Sequence, residues 1–354
     1  MAAASSASLR TTTHLSLLSS SSSTPSPQTQ PPRSFLRLKS QPFNSPLHLS
    51  SQPLHPRSKP QLKAISSDLD ISLLNPHCPS LKSRLASGET LYGIFLLSFS
   101  PTLAEIAGLA GYDYVVIDME HGPGGISEAL QCLRVLASTH TPVILRVPEV
   151  SAAWAKKALD LGPQGIMFPS IESVSAAEMA VSYCRFPPRG VRGAAHTIVR
   201  ASAYGLDDAY VSRCEEELLI MCQVETITGI KEIEAIAAVD GVDAIQTGPL
   251  DLSASMGYLW DPGHKKVKEM LKEAERRILD VKLEGRSVYL GGFAMPKDPP
   301  EMLKQRGYHM VSGAVDVAMF RKAAVEDVKR FRSIGMENAA EEGEGKEADG
   351  YWSE

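Results

Sequence analysis

Gln223, Glu225 and Asp251 stand where two apolar runs stop. The first run reads Leu218-Leu219-Ile220-Met221-Cys222-Gln223-Val224-Glu225. The second reads Ala244-Ile245-Gln246-Thr247-Gly248-Pro249 and delivers Asp251 two residues later. As consecutive parallel strands, the two runs place both carboxylates at one mouth. Taking each bare carboxylate out of water costs several kcal/mol. A divalent cation offsets that cost. Oxygen donors with few nitrogens or thiolates suit a hard ion such as Mg or Mn, with Co as a further candidate. A 2-oxo acid can fill the open coordination positions through its keto and carboxylate oxygens. The cation then stabilises negative charge on the keto oxygen, as a metal-stabilised enolate requires.

Other run ends add polar groups. Asp118 closes Tyr114-Val115-Val116-Ile117-Asp118 and is followed by Met119-Glu120-His121. Arg146 closes Val143-Ile144-Leu145-Arg146. His121 suits general acid/base work because imidazole titrates near neutrality. Arg146 suits a developing oxyanion. A Schiff-base lysine is the competing electrophile. Only Lys297 follows a run closely, in Ala294-Met295-Pro296-Lys297, where it reads as a helix start.

These residues need a frame that gathers strand ends. The chain has eight β-rich runs, at 92–97, 114–118, 142–147, 165–169, 218–225, 244–248, 287–294 and 310–313. Helical patterns follow each, including 229–238, 264–284 and 315–331. The runs are continuously apolar, as strands covered on both faces are. The expected fold is an α/β (β/α)8 TIM barrel, whose strand ends form the active site. A doubly wound sheet calls for a glycine-rich turn after an early strand. Gly122-Pro123-Gly124-Gly125 breaks that fingerprint with proline.

Charge divides the 354 residues into three parts. Residues 1–67 hold no Asp or Glu, seven Lys or Arg, and many Ser, Thr and Pro. That composition reads as a disordered transit peptide. The start Met1-Ala2-Ala3-Ala4-Ser5-Ser6 and the Pro-rich middle favour the chloroplast stroma over the mitochondrion. The expected globular domain is 75–335, followed by an acidic disordered tail, 336–354. Beyond position 67, 29 basic residues face 41 acidic ones, a formal charge of −12, which argues against nucleic acid as a partner. The apolar stretches are too short to span a membrane. Five scattered cysteines without a CxxC pair argue against a disulfide framework or a zinc site.

With these residues placed, the chain resembles the HpcH/HpaI aldolase/citrate lyase family over about residues 81–333. The matching blocks are Ala104-Glu105-Ile106, Asp118-x-Glu120-His121, Leu159-Asp160-x-Gly162, Pro187-Pro188-x-Gly190-x-Arg192-Gly193, Gln223-Val224-Glu225-Thr226 and Gly248-Pro249-x-Asp251-Leu252-Ser253. The resemblance implies a class II aldolase on a TIM barrel of the phosphoenolpyruvate/pyruvate type. Its substrate would be a 4-hydroxy-2-oxo acid of the hydroxy-oxo-heptanedioate or dehydro-deoxy-glucarate type, cleaved to pyruvate or a similar 2-oxo acid plus an aldehyde. It implies His121 as base, acting directly or through a metal-bound water. Arg146 would stabilise the enolate, Gln223 would contact substrate, and Glu225 and Asp251 would hold the metal. The backbone around Leu250 and Asp251 would bind the pyruvyl carboxylate, and Asp118 and Asp160 would orient His121. Asp160 precedes the fourth strand, at the opposite end from the others, so its role requires an unusual helix path or donation from a neighbouring chain. The resemblance also implies a homo-hexamer, or another homo-oligomer, built from dimers that exchange their last helix.

Met119, Leu250, Phe293 and Arg192-Gly193-Ala194-Ala195 depart from the family pattern, the last in a loop expected to lie over the site. Two further readings remain. One is a citrate-lyase-like acyl-CoA lyase, for which Lys265, Lys266, Lys268 and Lys272 would supply a basic face. The other is a non-catalytic plastid protein that binds a 2-oxo acid.

Overall fold

The computed structural model describes residues 79–337. The segment read as a transit peptide, Cys78 and the acidic tail beyond 337 lie outside them. Eight parallel strands close a barrel in sequence order. They are β1 (Leu91–Leu96), β2 (Tyr114–Asp118), β3 (Val143–Arg146), β4 (Gly165–Phe168), β5 (Leu219–Val224), β6 (Ala244–Thr247), β7 (Tyr289–Phe293) and β8 (Met310–Val315). Helices alternate with them: α1 (Leu81–Ala86), α2 (Pro101–Leu109), α3 (Ile126–Ser138), α4 (Ala152–Asp160), α5 (Val174–Cys184), α6 (Tyr210–Glu217), α7 (Ile227–Lys231) and α8 (Ile233–Ala238). After β6 come α9 (Pro249–Ser255), α10 (Lys265–Asp280), α11 (Pro300–Gln305) and α12 (Asp316–Glu337). The chain forms a (β/α)8 barrel.

The two-residue period of a strand sorts the core into two layers. Phe95, Tyr114, Val116, Ile144, Met167, Leu219, Met221, Ala244 and Met310 form the barrel interior. Val115, Ile117, Val143, Leu145, Ile166, Phe168, Ile220, Cys222 and Ile245 pack with the helices outside. Continuing the interior parity upward gives Asp118, Arg146 and Gln223. The period that fills the core therefore aims the polar strand ends into the mouth.

Three details shape the frame. Leu81 and Leu85 of α1 join the interior cluster, and the Leu81 N–H donates to Gln164 Oε1 at 3.1 Å, so α1 covers the floor. Gly93 of β1 lies under the Tyr114 ring, where a Cβ would sit 2.3 Å from a ring carbon. The β8–β1 seam carries a register shift between Gly93 and Ile94. Beyond it, the Asp316 carboxylate accepts the Leu97 and Ser98 N–H groups at 2.9 and 3.1 Å.

The helix expected at 229–238 is two short helices. Thr226 caps α7 by accepting the Gly229 N–H at 3.1 Å, which moves the start forward. Glu232 departs from helical backbone between α7 and α8. Cys132, Cys184, Cys214 and Cys222 are buried free thiols. Among the described residues, no helix is long and apolar enough to cross a membrane.

Candidate active site

Asp118 and Arg146 are register partners on β2 and β3. Their side chains form a buried two-pronged pair. Arg146 Nε donates to Asp118 Oδ1 at 2.8 Å, and Nη2 donates to Oδ2 at 2.5 Å. Nη1 reaches past β4 to donate to Gln223 Oε1 at 3.2 Å. The guanidinium lies 5.0 Å over the Phe95 ring, which meets Phe293 edge-on. Asp118 Oδ1 also accepts the backbone N–H groups of Glu120 and His121 at 3.0 and 3.3 Å. One carboxylate thus fixes the arginine and the turn that carries the histidine.

Glu225 is buried beyond the end of β5. Its Oε1 accepts the Ser170 N–H at 2.9 Å and faces the Ser170 hydroxyl at 3.3 Å. Its Oε2 accepts from Gln223 Nε2. A Cβ on Gly248 would sit 2.4 Å from that oxygen, so glycine is needed for the β6 backbone to lie against the carboxylate. Burial pushes the Glu225 carboxyl up to about 7, and the charges of Asp251 and Glu120 push the same way. Burial also raises Glu120, against the pull of Arg146 and His121 and with a push from Asp251. Glu120, Glu225 and Asp251 therefore feel one another across the mouth.

This cluster is short of positive charge. Asp118, Glu120, Glu225 and Asp251 outnumber Arg146 and His121. A divalent cation held by Glu225 and Asp251 would correct the imbalance, and an acid that burial pushes up to about 7 is a suitable ligand once ionised. Among the described residues, no group of three or more His, Cys, Asp or Glu side chains forms a metal cage. Two carboxylates at an open mouth instead suit a hard ion that keeps water and substrate as its remaining ligands.

The remaining expected residues fall as follows. His121 is half exposed, with Nε2 3.9 Å from Glu120 Oε2. Both Asp118 oxygens are committed to Arg146 and backbone N–H groups, so Asp118 organises Arg146 rather than the imidazole. Leu250 and Asp251 are exposed on the first turn of α9. Asp160 ends α4 and pairs with buried Arg192 at 3.7 Å, so it does not join this chain's cluster. Residues 185–218 connect α5 to the start of β5, so the Arg192-Gly193 loop lies toward the floor and not over this mouth. Lys297 is exposed in a turn bridged by Met295 and Asp298, without the apolar pocket that activates a Schiff-base lysine.

Sequence reasoning passed over Ser170 and Phe95. Ser170 has φ +52°, a left-handed turn directly after β4 that no residue type announced. Phe95 was legible in principle, since it shares the interior parity of β1.

The sequence pattern of the HpcH/HpaI aldolase/citrate lyase family matches residues 91–323. The chain belongs to the HpcH/HpaI aldolase/citrate lyase family. As a member it is a carbon–carbon lyase. It is 33% identical to the 2-keto-3-deoxy-L-rhamnonate aldolase of Klebsiella pneumoniae over 252 residues, 71% of this chain and 92% of that one. It is 33% identical to the hydroxypyruvate/pyruvate aldolase of Pseudomonas aeruginosa over 251 residues, again 71% and 92%. A crystal structure of a family protein from Burkholderia cenocepacia superposes with a TM-score of 0.66 at 35% identity, covering 71% of this chain and 98% of that chain. The matches cover the barrel. The relatives' substrates differ from the hydroxy-oxo-heptanedioate and dehydro-deoxy-glucarate types that the motifs suggested.

Proposed function

We propose that the chain is a metal-dependent aldolase that cleaves a 4-hydroxy-2-oxo acid to pyruvate, or a close 2-oxo acid, and an aldehyde. The carrying observation is the Asp118-clamped Arg146 set in one mouth with Glu225 and Asp251. A divalent cation on Glu225 and Asp251 would supply Lewis-acid stabilisation of charge on the C2 carbonyl oxygen. Arg146, held rigid by Asp118 and Gln223, offers preorganised positive charge to the same oxygen. Its anchored fork needs no rearrangement when the C3–C4 bond breaks and the electron pair moves toward C2. His121 takes the 4-hydroxyl proton as that bond breaks. A proton delivered to C3 then completes the 2-oxo acid. Leu250 and Asp251, on the first turn of α9, border the place where the substrate carboxylate would bind.

A coupled assay for pyruvate release, with and without EDTA, tests this reading. Metal-dependent release that His121→Ala abolishes is expected. Exchange of pyruvate C3 protons in deuterated buffer provides a second readout that needs no knowledge of the aldehyde. Metal-independent turnover would overturn the proposal. The acyl-CoA reading has less support, because Lys265, Lys266, Lys268 and Lys272 share their exposed helix with acids such as Glu269 and Glu273.

Two wider parts of the reading concern assembly and place. Met319, Phe320, Val325, Val328 and Phe331 leave α12 with exposed apolar side chains. Its main contacts with its own barrel are to β1 and β8. We infer that α12 packs on a second copy of this chain, as in a homo-hexamer or smaller homo-oligomer, and that a neighbour's Asp160 then reaches His121. The basic, acid-free 1–67 segment supports delivery to the chloroplast stroma.

A further inference from the structure

Glu120 holds an acceptor that no aligned hydrogen bond in the resting site uses. Its Oε2 is shut off from solvent and, among the described residues, has no hydrogen-bond partner. Arg146 Nη1 lies 2.9 Å away, yet that contact is proximity without alignment, since the aligned Nη1 bond goes to Gln223. The second basic side chain within reach is His121, with Nε2 at 3.9 Å. The Glu120 backbone is anchored, because its N–H is tied to Asp118 Oδ1 at 3.0 Å. The same oxygen ties the His121 N–H. A buried carboxylate oxygen left without a hydrogen bond calls for an explanation.

We propose that Glu120 is a positioning residue of the cleavage reaction, acting through His121 and Arg146. This rests on the aldolase reading above. When His121 takes the 4-hydroxyl proton it becomes a cation with both ring nitrogens donating. Its Nε2–H then closes on Glu120 Oε2, and Nδ1 is the nitrogen that receives the substrate proton. The proton moves from the 4-hydroxyl to Nδ1. The C3–C4 electrons move to the 2-oxo acid half, and the aldehyde carbonyl forms. Glu120 itself gains and loses no proton. The same oxygen keeps Nη1 of Arg146 turned into the mouth, so one carboxylate sets the spacing of base and electrophile.

The test compares metal-loaded wild type with Glu120→Gln and Glu120→Ala, in cleavage and in pyruvate C3 proton exchange. Glu120→Ala should lower kcat by about a hundred-fold, the scale of a misplaced acid/base group, with KM and Mn affinity changed by less than about three-fold. Added formate should restore about ten-fold of the lost kcat in Glu120→Ala by refilling the carboxylate site, and should do nothing for wild type. Glu120→Gln keeps the shape and removes the charge, so it should stay slow while melting at the wild-type temperature. Wild-type kcat in either variant overturns the proposal. So does a slow Glu120→Ala that formate leaves unchanged beside a fully active Glu120→Gln, which would mark Glu120 as mere packing. Absence of both cleavage and exchange in wild type would overturn the aldolase reading and the Glu120 role with it. Normal wild-type exchange with an unaffected Glu120→Ala sinks only the latter.

Discussion

Arg146 donates to two side chains and stacks on a third, so its replacement tests geometry as much as charge. Lysine keeps the positive charge and loses the fork that engages Asp118 at both oxygens. Arg146→Lys should therefore lower kcat/KM by about a hundred-fold or more, the cost of losing one preorganised donor at a developing oxyanion. Steady-state kinetics of pyruvate release would measure it, and activity within a few-fold of wild type would contradict the role. Glu225 carries a second expectation at this scale. Its carboxyl titrates at about 7, raised first by burial. A cation must displace that proton, so Mn affinity should fall as pH drops through 7, by up to about ten-fold per pH unit. Calorimetric titrations in buffers of different ionisation enthalpy should detect proton release on binding. Affinity independent of pH would remove Glu225 from the ligand set. The positions of Glu225 and Asp251 just past β5 and β6 were legible, because both acids follow apolar runs closely. The partners of Asp118 were not. Only the β2–β3 register, which no single residue type encodes, sets its carboxylate beside Arg146 rather than beside the imidazole.

At the scale of elements, continuous apolar runs such as Val115-Val116-Ile117 announced the strands, because both faces of each strand are covered. Two short helices were not announced. α1 has six residues and α9 seven, too few to display a helical period. Their placement follows from tertiary contacts, Leu81 and Leu85 on the barrel floor in the case of α1. His309, just before β8, offers a test of how strands are held at their starts. Its Nδ1 accepts the Leu290 N–H at 3.0 Å, and its ring meets Tyr289 edge-on. Burial holds it below the ordinary imidazole value of 6.5. The folded chain therefore binds fewer protons than the unfolded chain just below that pH. Stability rises with pH through this window and is lost as pH falls beneath it. His309→Gln should flatten the decline in melting temperature between about pH 7 and 5. An unchanged acid limb would show that His309 is not the group responsible.

For the whole molecule, the eight apolar runs announced the closed barrel, whereas the proposed assembly rests on a single helix. A 22-residue α12 with exposed Phe320 and Phe331 needs a covering surface. Phe320→Asp with Phe331→Asp should reduce the mass seen by light scattering to that of a single chain. It should also lower activity if Asp160 acts across the interface. An undiminished mass would rule out α12 as the contact. Residues 1–67 fused to a fluorescent reporter should direct it into plastids, and accumulation in mitochondria would overturn that assignment.

Asp316 is both the first residue of α12 and the acceptor for the Leu97 and Ser98 N–H groups. It acts as a latch across the seam where the last stave meets the first. A chain cut after Val315 would keep every stave and lose the latch. The rim beside Phe95 would then be free to splay, although no residue of the acid–arginine cluster had been touched. The helix proposed to meet a neighbour thus begins with the bolt that keeps its own barrel shut.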